Sequence, residues 1–195
     1  MTATDLLLAL EPVVAALEAL GVRYYVAGSL ASSAHGVPRA SIDADVVADL
    51  REAHVERLVP RLQGYYVDEG RVRSAVRARR SFNAIHLATM FKIDVFVAKG
   101  RPFDHEALDR ARPRALEDVP EARQYVVASA EDTILAKLEW FRLGGEVSDR
   151  QWADIVGMLK TGAERVDYAH LDRWAGVLEV ADLLQRARQE CGSET

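Results

Sequence analysis

Only one cysteine stands in the 195 residues, Cys191, so no disulfide can form within the chain. No Cys/His cluster is spaced to hold zinc either, and the sequence reads as one that folds in a reducing cytosol without such staples. Apolar runs of 18 or more residues are missing, which excludes a membrane-spanning helix of ordinary length. Basic residues are not in excess: 25 Lys and Arg against 30 Asp and Glu leave a net charge of −5. That balance argues against a general nucleic-acid coater, whose affinity comes from neutralising phosphates, but leaves local basic patches open. Internal repeats and low-complexity segments are also lacking.

What is present suits an ordinary globular protein. Hydrophobic residues make up 49% and charged residues 28%, enough apolar material for one core in a chain of this length. The apolar start, Leu6-Leu7-Leu8, has Asp5 before it and Glu11 and Pro12 after it, with no basic stretch, which argues against a signal peptide. Leu6, Leu10, Val13, Leu17 and Leu20 fall at helical spacing and predict one amphipathic helix. Val22 to Ala27 reads as a buried strand, Gly28-Ser29 leads into a short helix over 30–35, and 41–48 reads as a second strand. A helix over 52–63 should be kinked at Pro60, followed by a brief strand at 65–67 and a helix over 71–80. Residues 82–87 and 91–97 predict two antiparallel strands joined near Thr89, and 124–128 a last strand. The segment from Arg101 to Val119, with Pro102 and Pro113, reads as short helix and loop. Beyond Ser129 only helices are expected, over about 130–143, 148–160 and 168–189, with Ser129 and Asp132 forming an N-terminal cap. The expectation is an α+β protein, with a short mixed β-sheet backed by helices in residues 1–128 and a helical portion packed on it in 129–195.

Three acids interrupt strands that otherwise read as core. Asp43 and Asp45 are two apart in one strand and therefore project side by side. Asp94 sits inside Phe91-Lys-Ile-Asp-Val-Phe-Val97. Neighbouring carboxylates repel and resist burial unless a cation compensates, and hard oxygen ligands of this kind suit Mg²⁺ or Mn²⁺ rather than zinc. A third carboxylate facing the pair would complete a clamp for phosphoryl chemistry. Gly28 would let a phosphate approach the backbone, Ser29 offers a hydroxyl and an amide, and the following helix start presents free N–H groups.

The order of these pieces, Tyr25-Val-Ala-Gly-Ser29, then Asp43-Ala-Asp45, then Ile93-Asp94-Val95, resembles the DNA polymerase β-like nucleotidyltransferase superfamily. It is similar to small bacterial members of that group, some related to abortive-infection and toxin–antitoxin nucleotidyltransferases. Ala34-His-Gly-Val-Pro-Arg39 and Ser129-Ala-Glu-Asp-Thr-Ile-Leu-Ala-Lys-Leu138 look like further segments of it. The resemblance implies a nucleotidyltransferase fold and metal-dependent transfer of a nucleoside monophosphate from an NTP, ATP among them, to a hydroxyl. It implies that Gly28 and Ser29 contact triphosphate. Asp43 and Asp45 would bind both metals, and Asp94 would hold one metal and help activate the attacking hydroxyl. No large second domain for a polymer is present, so the acceptor stays open between tRNA, a protein side chain and a small molecule. A catalytically silent nucleotide-binding or antitoxin-like protein, working with a partner or a second copy, is the alternative.

Other residues carry two readings each. Arg39 contacts phosphate or is a solvated loop arginine. Lys137 reaches the nucleotide or forms a salt bridge. Arg71, Arg73, Arg77, Arg79 and Arg80 form the densest basic cluster, with Arg73, Arg77 and Arg80 on one helical face, either gripping phosphates or solvated. His86 reads as structural, and Trp140, Trp152 and Trp174 as packing between helices.

Overall fold

The computed structural model describes residues 3–38, 40–162 and 166–192. Helix α1 (Ala3–Ala19) leads to strand β1 (Tyr24–Val26), the short helix α2 (Gly28–Ala34) and β2 (Asp43–Ala48). Then come α3 (Glu52–Leu58), a single 3-10 turn at Val59–Arg61, β3 (Tyr65–Tyr66), α4 (Glu69–Ala78), and the hairpin β4 (Ser81–His86) and β5 (Lys92–Val97). Helix α5 (Pro102–Arg110) precedes the hairpin β6 (Arg112–Ala115) and β7 (Gln124–Val127). Four helices follow: α6 (Ala130–Leu143), α7 (Asp149–Gly162), α8 (Tyr168–Val177) and α9 (Ala181–Gly192).

The seven strands form one mixed sheet in the order β3-β4-β5-β2-β1-β7-β6, larger than the short sheet expected. β2 runs parallel to β5 and β1 parallel to β7, and the other neighbours are antiparallel. Alternation divides the sheet into two faces. Ala44, Val46 and Ala48 of β2, Ile93, Val95 and Val97 of β5, and Phe82 and Ala84 of β4 face one core. Leu6, Leu10 and Leu17 of α1, Val55 and Leu58 of α3, and Val72 and Val76 of α4 belong to the same core. The alternate residues, with Asp43, Asp45 and Asp94 among them, stand on the other face and are half-buried. A second apolar cluster lies in the C-terminal helices, centred on Ile134, Leu138, Ile155, Met158, Leu171 and Leu184. No described helix is long and apolar enough to cross a membrane.

Four local expectations change. β6 occupies a stretch read as helix and loop; all four of its residues are exposed, and Pro113 is tolerated because it lies on the edge strand. The helix expected over 168–189 is broken after Val177. Glu179 turns to φ +58, Val180 N–H returns to the Ala175 carbonyl at 2.9 Å, and Glu179 N–H to that of Gly176 at 3.3 Å, a Schellman-type end. Arg79 adopts a left-handed conformation (φ +48) just past α4, so Arg80 lies beyond the helix and leaves the face shared by Arg73 and Arg77. Trp152 and Trp174 are buried as expected, but Trp140 is 47% exposed, its indole edge-on to Phe96.

Candidate active site

Register brings the three acids together. In the parallel pairing of β2 and β5, Asp45 stands directly opposite Asp94 and Asp43 opposite Lys92, while β4 places Asn83 opposite Asp94. Lys92 Nζ lies 2.7 Å from Asp94 Oδ2, and the Asn83 amide donates to Asp94 Oδ1. Both oxygens of Asp94 are therefore engaged. Asp43, Asp45 and Asp94 all raise the Lys92 pKa, so this ammonium acts as the internal counterion of the group. It does not balance three carboxylates. Burial first, then the charges of Asp43 and Asp94, push the Asp45 carboxyl up to about 6, against the opposing pull of Lys137 and Lys92.

Gly28 meets this cluster from β1. The Ala27 N–H donates to the Asp45 carbonyl at 2.8 Å, which sets the start of α2 beside the carboxylate. Gly28 has φ +59, and a Cβ there would come within 1.8 Å of Asp45 Oδ2. The space a side chain would need is thus filled by the Asp45 carboxylate itself, a reason for glycine that adds to phosphate access. Ser29 is buried, and its hydroxyl donates to Ser41 Oγ at 2.7 Å. Ser41 Oγ in turn lies 2.9 Å from the Asp43 carbonyl and 3.1 Å from Asp43 Oδ1, which ties the Gly-Ser element to the first acid. Lys137, on α6, makes a buried ion pair with Asp154 of α7 at 2.7 Å while remaining within electrostatic reach of Asp45. Arg39 lies outside the described residues.

Three members of the site went unread in the sequence. Lys92 sits two residues before Asp94 in β5, so strand alternation puts it on the same face and could have found it, whereas Ser41 precedes β2 and is placed by its bonds to Ser29 and Asp43. Asn83 reaches Asp94 only through the β4–β5 register, which no local pattern encodes. Of the arginine cluster, Arg73 pairs with Glu69 and Glu56, Arg77 with Glu52, and Arg79 donates to the Ala98 carbonyl. These three are held within the fold. His86 is structural, its ring bonded to Thr89 Oγ1 at 2.8 Å and packed on Tyr65.

The donor set fits a hard divalent cation. It is all oxygen, carries excess negative charge beyond Lys92, and contains an acid, Asp45, whose pKa is raised by burial and by its two carboxylate neighbours. Among the described residues, however, no group of three or more His, Cys, Asp or Glu side chains is arranged in advance to hold a metal ion. The three acids share a face without forming a ready cage, and both oxygens of Asp94 are taken by Asn83 and Lys92.

No family model matches this sequence, and no curated protein does. Solved structures do. The solution structure of the antibiotic-resistance factor ANT(2'')-Ia aligns with 100% of this chain and 99% of its own, at 19% identity and a TM-score of 0.56. The crystal structure of ANT(2'')-Ia in complex with adenylyl-2''-tobramycin aligns with 91% of this chain and 98% of its own, at 16% identity and a TM-score of 0.58. An antigenic nucleotidyltransferase-like protein from Paracoccidioides brasiliensis covers 96% of this chain and 93% of its own, at 13% identity and a TM-score of 0.53. The chain has the DNA polymerase β-like nucleotidyltransferase fold. In this nucleotidyltransferase fold the carboxylate cluster lies on the sheet face opposite α1, α3 and α4, with the Gly28-Ser29 turn at its margin.

Proposed function

We propose that this chain transfers a nucleoside monophosphate from an NTP to a hydroxyl group, with pyrophosphate leaving. The observation that carries the reading is the in-register pairing of Asp45 with Asp94, with Asp43 beside them and Gly28 pressed against Asp45. Asp43 and Asp45 would hold Mg²⁺ or Mn²⁺, and such a cation, when bound, neutralises phosphate charge and aligns the reacting oxygens. Gly28 and Ser29 would border the triphosphate, with Arg39 and Lys137 adding positive charge.

Asp94 has the role of base. The acceptor O–H gives its proton to the Asp94 carboxylate as the oxygen bonds to the α-phosphorus, and the bond from that phosphorus to the bridging oxygen breaks to release pyrophosphate. Lys92 and Asn83 hold Asp94 in place until then and would have to yield one of its oxygens. Turnover by alignment and charge stabilisation, with no covalent intermediate, suits a site that offers carboxylates and no Cys or His nucleophile. A structural neighbour bound to adenylyl-2''-tobramycin makes ATP and a small-molecule acceptor the first pair to test. Cytoplasmic residence, where NTP and Mg²⁺ are available, fits the reading.

A silent nucleotide-binding protein is the second reading, favoured by one observation: both Asp94 oxygens are already engaged. Calorimetric NTP binding alongside transfer of label from α-³²P-ATP to a panel of hydroxyl compounds separates the two. Asp94→Asn should retain NTP binding and lose transfer, because the interaction it removes acts chiefly in the transition state. A wild type that binds NTP and labels nothing would favour the silent reading.

A further inference from the structure

A cavity of about 410 Å³ lies between α4 and the outer edge of β4; the three carboxylates are not in its wall, but two partners of Asp94 are. β3 pairs with only the last two residues of β4, so the edge from Ser81 to Ala84 has no strand beyond it. Asn83 and Lys92 line this cavity and both are bonded to Asp94, so these two side chains stand between it and the carboxylate assigned as base. The volume is that of a small-molecule site. We propose that this cavity holds the acceptor, and that the acceptor is a small hydroxyl compound carrying a phosphate or carboxylate. The inference rests on the transfer reading above and adds the chemistry of the second substrate.

The charge of the walls carries the argument. Arg71 and Arg80 both line the cavity and are exposed, and among the described residues neither has a carboxylate at ion-pair distance. On α4 Arg73 and Arg77 are each paired with glutamates and Arg79, just past the helix, donates to the Ala98 carbonyl, whereas Arg71 and Arg80 turn to the cavity without such partners. One acid, Asp68, is in the wall, and its side chain accepts the Arg71 backbone N–H at 2.7 Å as the cap of α4. Guanidinium pairs at a pocket mouth select phosphate or carboxylate by charge-assisted, bidentate bonding.

Sheet order separates the two substrates. Gly28-Ser29 approaches the acids from β1, whereas the cavity lies on the other side, beyond β5 at β4. A donor on the β1 side and an acceptor on the β4 side would meet at Asp45 and Asp94, which suits an in-line displacement. A long RNA fits poorly. Glu52 and Glu56 of α3 and Glu69 of α4 pair with Arg73 and Arg77 and so interrupt the basic row of α4 that a polyanion would follow.

The test uses binding and transfer together. Ribose 5-phosphate and ribose are titrated into the full-length protein without nucleotide, and both are then offered with α-³²P-ATP and Mg²⁺. Wild type should bind the phosphorylated sugar preferentially, and label it preferentially. Arg71→Gln/Arg80→Gln should weaken that binding by at least about tenfold, with a raised KM for the sugar and unchanged ATP affinity. Arg71→Lys/Arg80→Lys should recover part of the binding. Arg73→Gln/Arg77→Gln, which removes the same amount of charge from α4, should leave it as in wild type. Equal use of ribose and its phosphate, or equal loss in both glutamine pairs, overturns the acceptor assignment while leaving the transfer reading intact. Displacement of the sugar phosphate by a single-stranded RNA 12-mer at lower concentration overturns it in favour of a polymer. If the sugar phosphate binds through Arg71 and Arg80 but no NTP supports transfer to anything, the transfer reading fails and the acceptor assignment with it.

Discussion

Gly28 and Asp45 occupy one space, and that makes them the most sensitive pair of residues in the molecule. An alanine Cβ at position 28 would lie 1.8 Å from Asp45 Oδ2, and the backbone there has φ +59. Gly28→Ala should cost about 1–3 kcal/mol in urea denaturation through backbone strain and the displaced carboxylate. In an Asp45→Ala background the clash with the carboxylate disappears and only the backbone part should persist, so the penalty should shrink. An unchanged penalty would mean that Asp45 already yields freely. Asp45 also sets a pH dependence. Its folded pKa of about 6 lies above the unfolded value of about 3.9, so the folded state binds more protons between them. The metal-free protein should therefore lose stability as pH rises from about 4 through 6, and level off above that range. Asp45→Asn should raise the melting temperature at pH 7.5, with little gain at pH 4. Mg²⁺ should stabilise wild type more at pH 7.5 than at pH 5, since the protonated acid is a poor ligand, and should do less for the variant. A magnesium gain that is equal at both pH values in wild type would place the cation elsewhere.

At the scale of elements, legibility followed local pattern. β2 and β5 could be read because β-branched residues alternate with acids that have no place in a core, and α6 because Ser129 caps it, accepting from the Asp132 N–H at 3.0 Å. β6 could not, since a fully exposed Arg-Pro-Arg-Ala segment becomes a strand only through its pairing with β7. The break between α8 and α9 was hidden because apolar spacing continues across it and no glycine or proline stands at the left-handed Glu179. Of the site, the acids and the Gly-Ser turn were legible as oddities of type and position. Asn83 and the Asp154 partner of Lys137 depend on register and on helix packing, which lie outside any local window. That last pair yields a prediction for α6 and α7. Lys137→Met removes the cation from a buried carboxylate and should cost about 3–5 kcal/mol, whereas Lys137→Met/Asp154→Leu should recover most of it. If the double variant is as stable as wild type yet binds ATP more weakly, Lys137 serves the nucleotide as well as the fold. Equal ATP affinity would confine it to packing.

At the scale of the whole molecule, apolar clusters are accompanied by a seam of ion pairs that runs along α5 and α6. The sheet core and the helical core are separate clusters, a small third one of Tyr25, Ala98, Ala107, Leu108, Ala111 and Ala128 lies beside α5, and ion pairs tie α5 and α8 to α6. Arg101, at the start of α5, bonds Asp104 and reaches Glu139 of α6 at 2.5 Å. Arg110 at the end of α5 reaches Glu131 at 3.0 Å, and His170 of α8 lies 2.8 Å from Asp132. Apolar cores resist opening in proportion to the area they bury, whereas a seam held by ion pairs is weakened by salt and by loss of single partners. Local opening should therefore begin at the seam. Arg101→Gln removes ties to both α5 and α6 and leaves the sheet core untouched, the guanidinium otherwise lying over the ring of Phe103. Native-state hydrogen exchange of this variant should show faster exchange in α6 to α9, with the amides of β2 and β5 still protected. Because α6 carries Lys137 toward Asp45, the same opening should weaken ATP binding in step with the exchange rate of α6. Exchange that rises equally in the sheet and in the helices would show instead that the two cores unfold as one cooperative unit. The seam would then be ordinary interior, and α6 would hold its place beside the acids through the global stability of the fold.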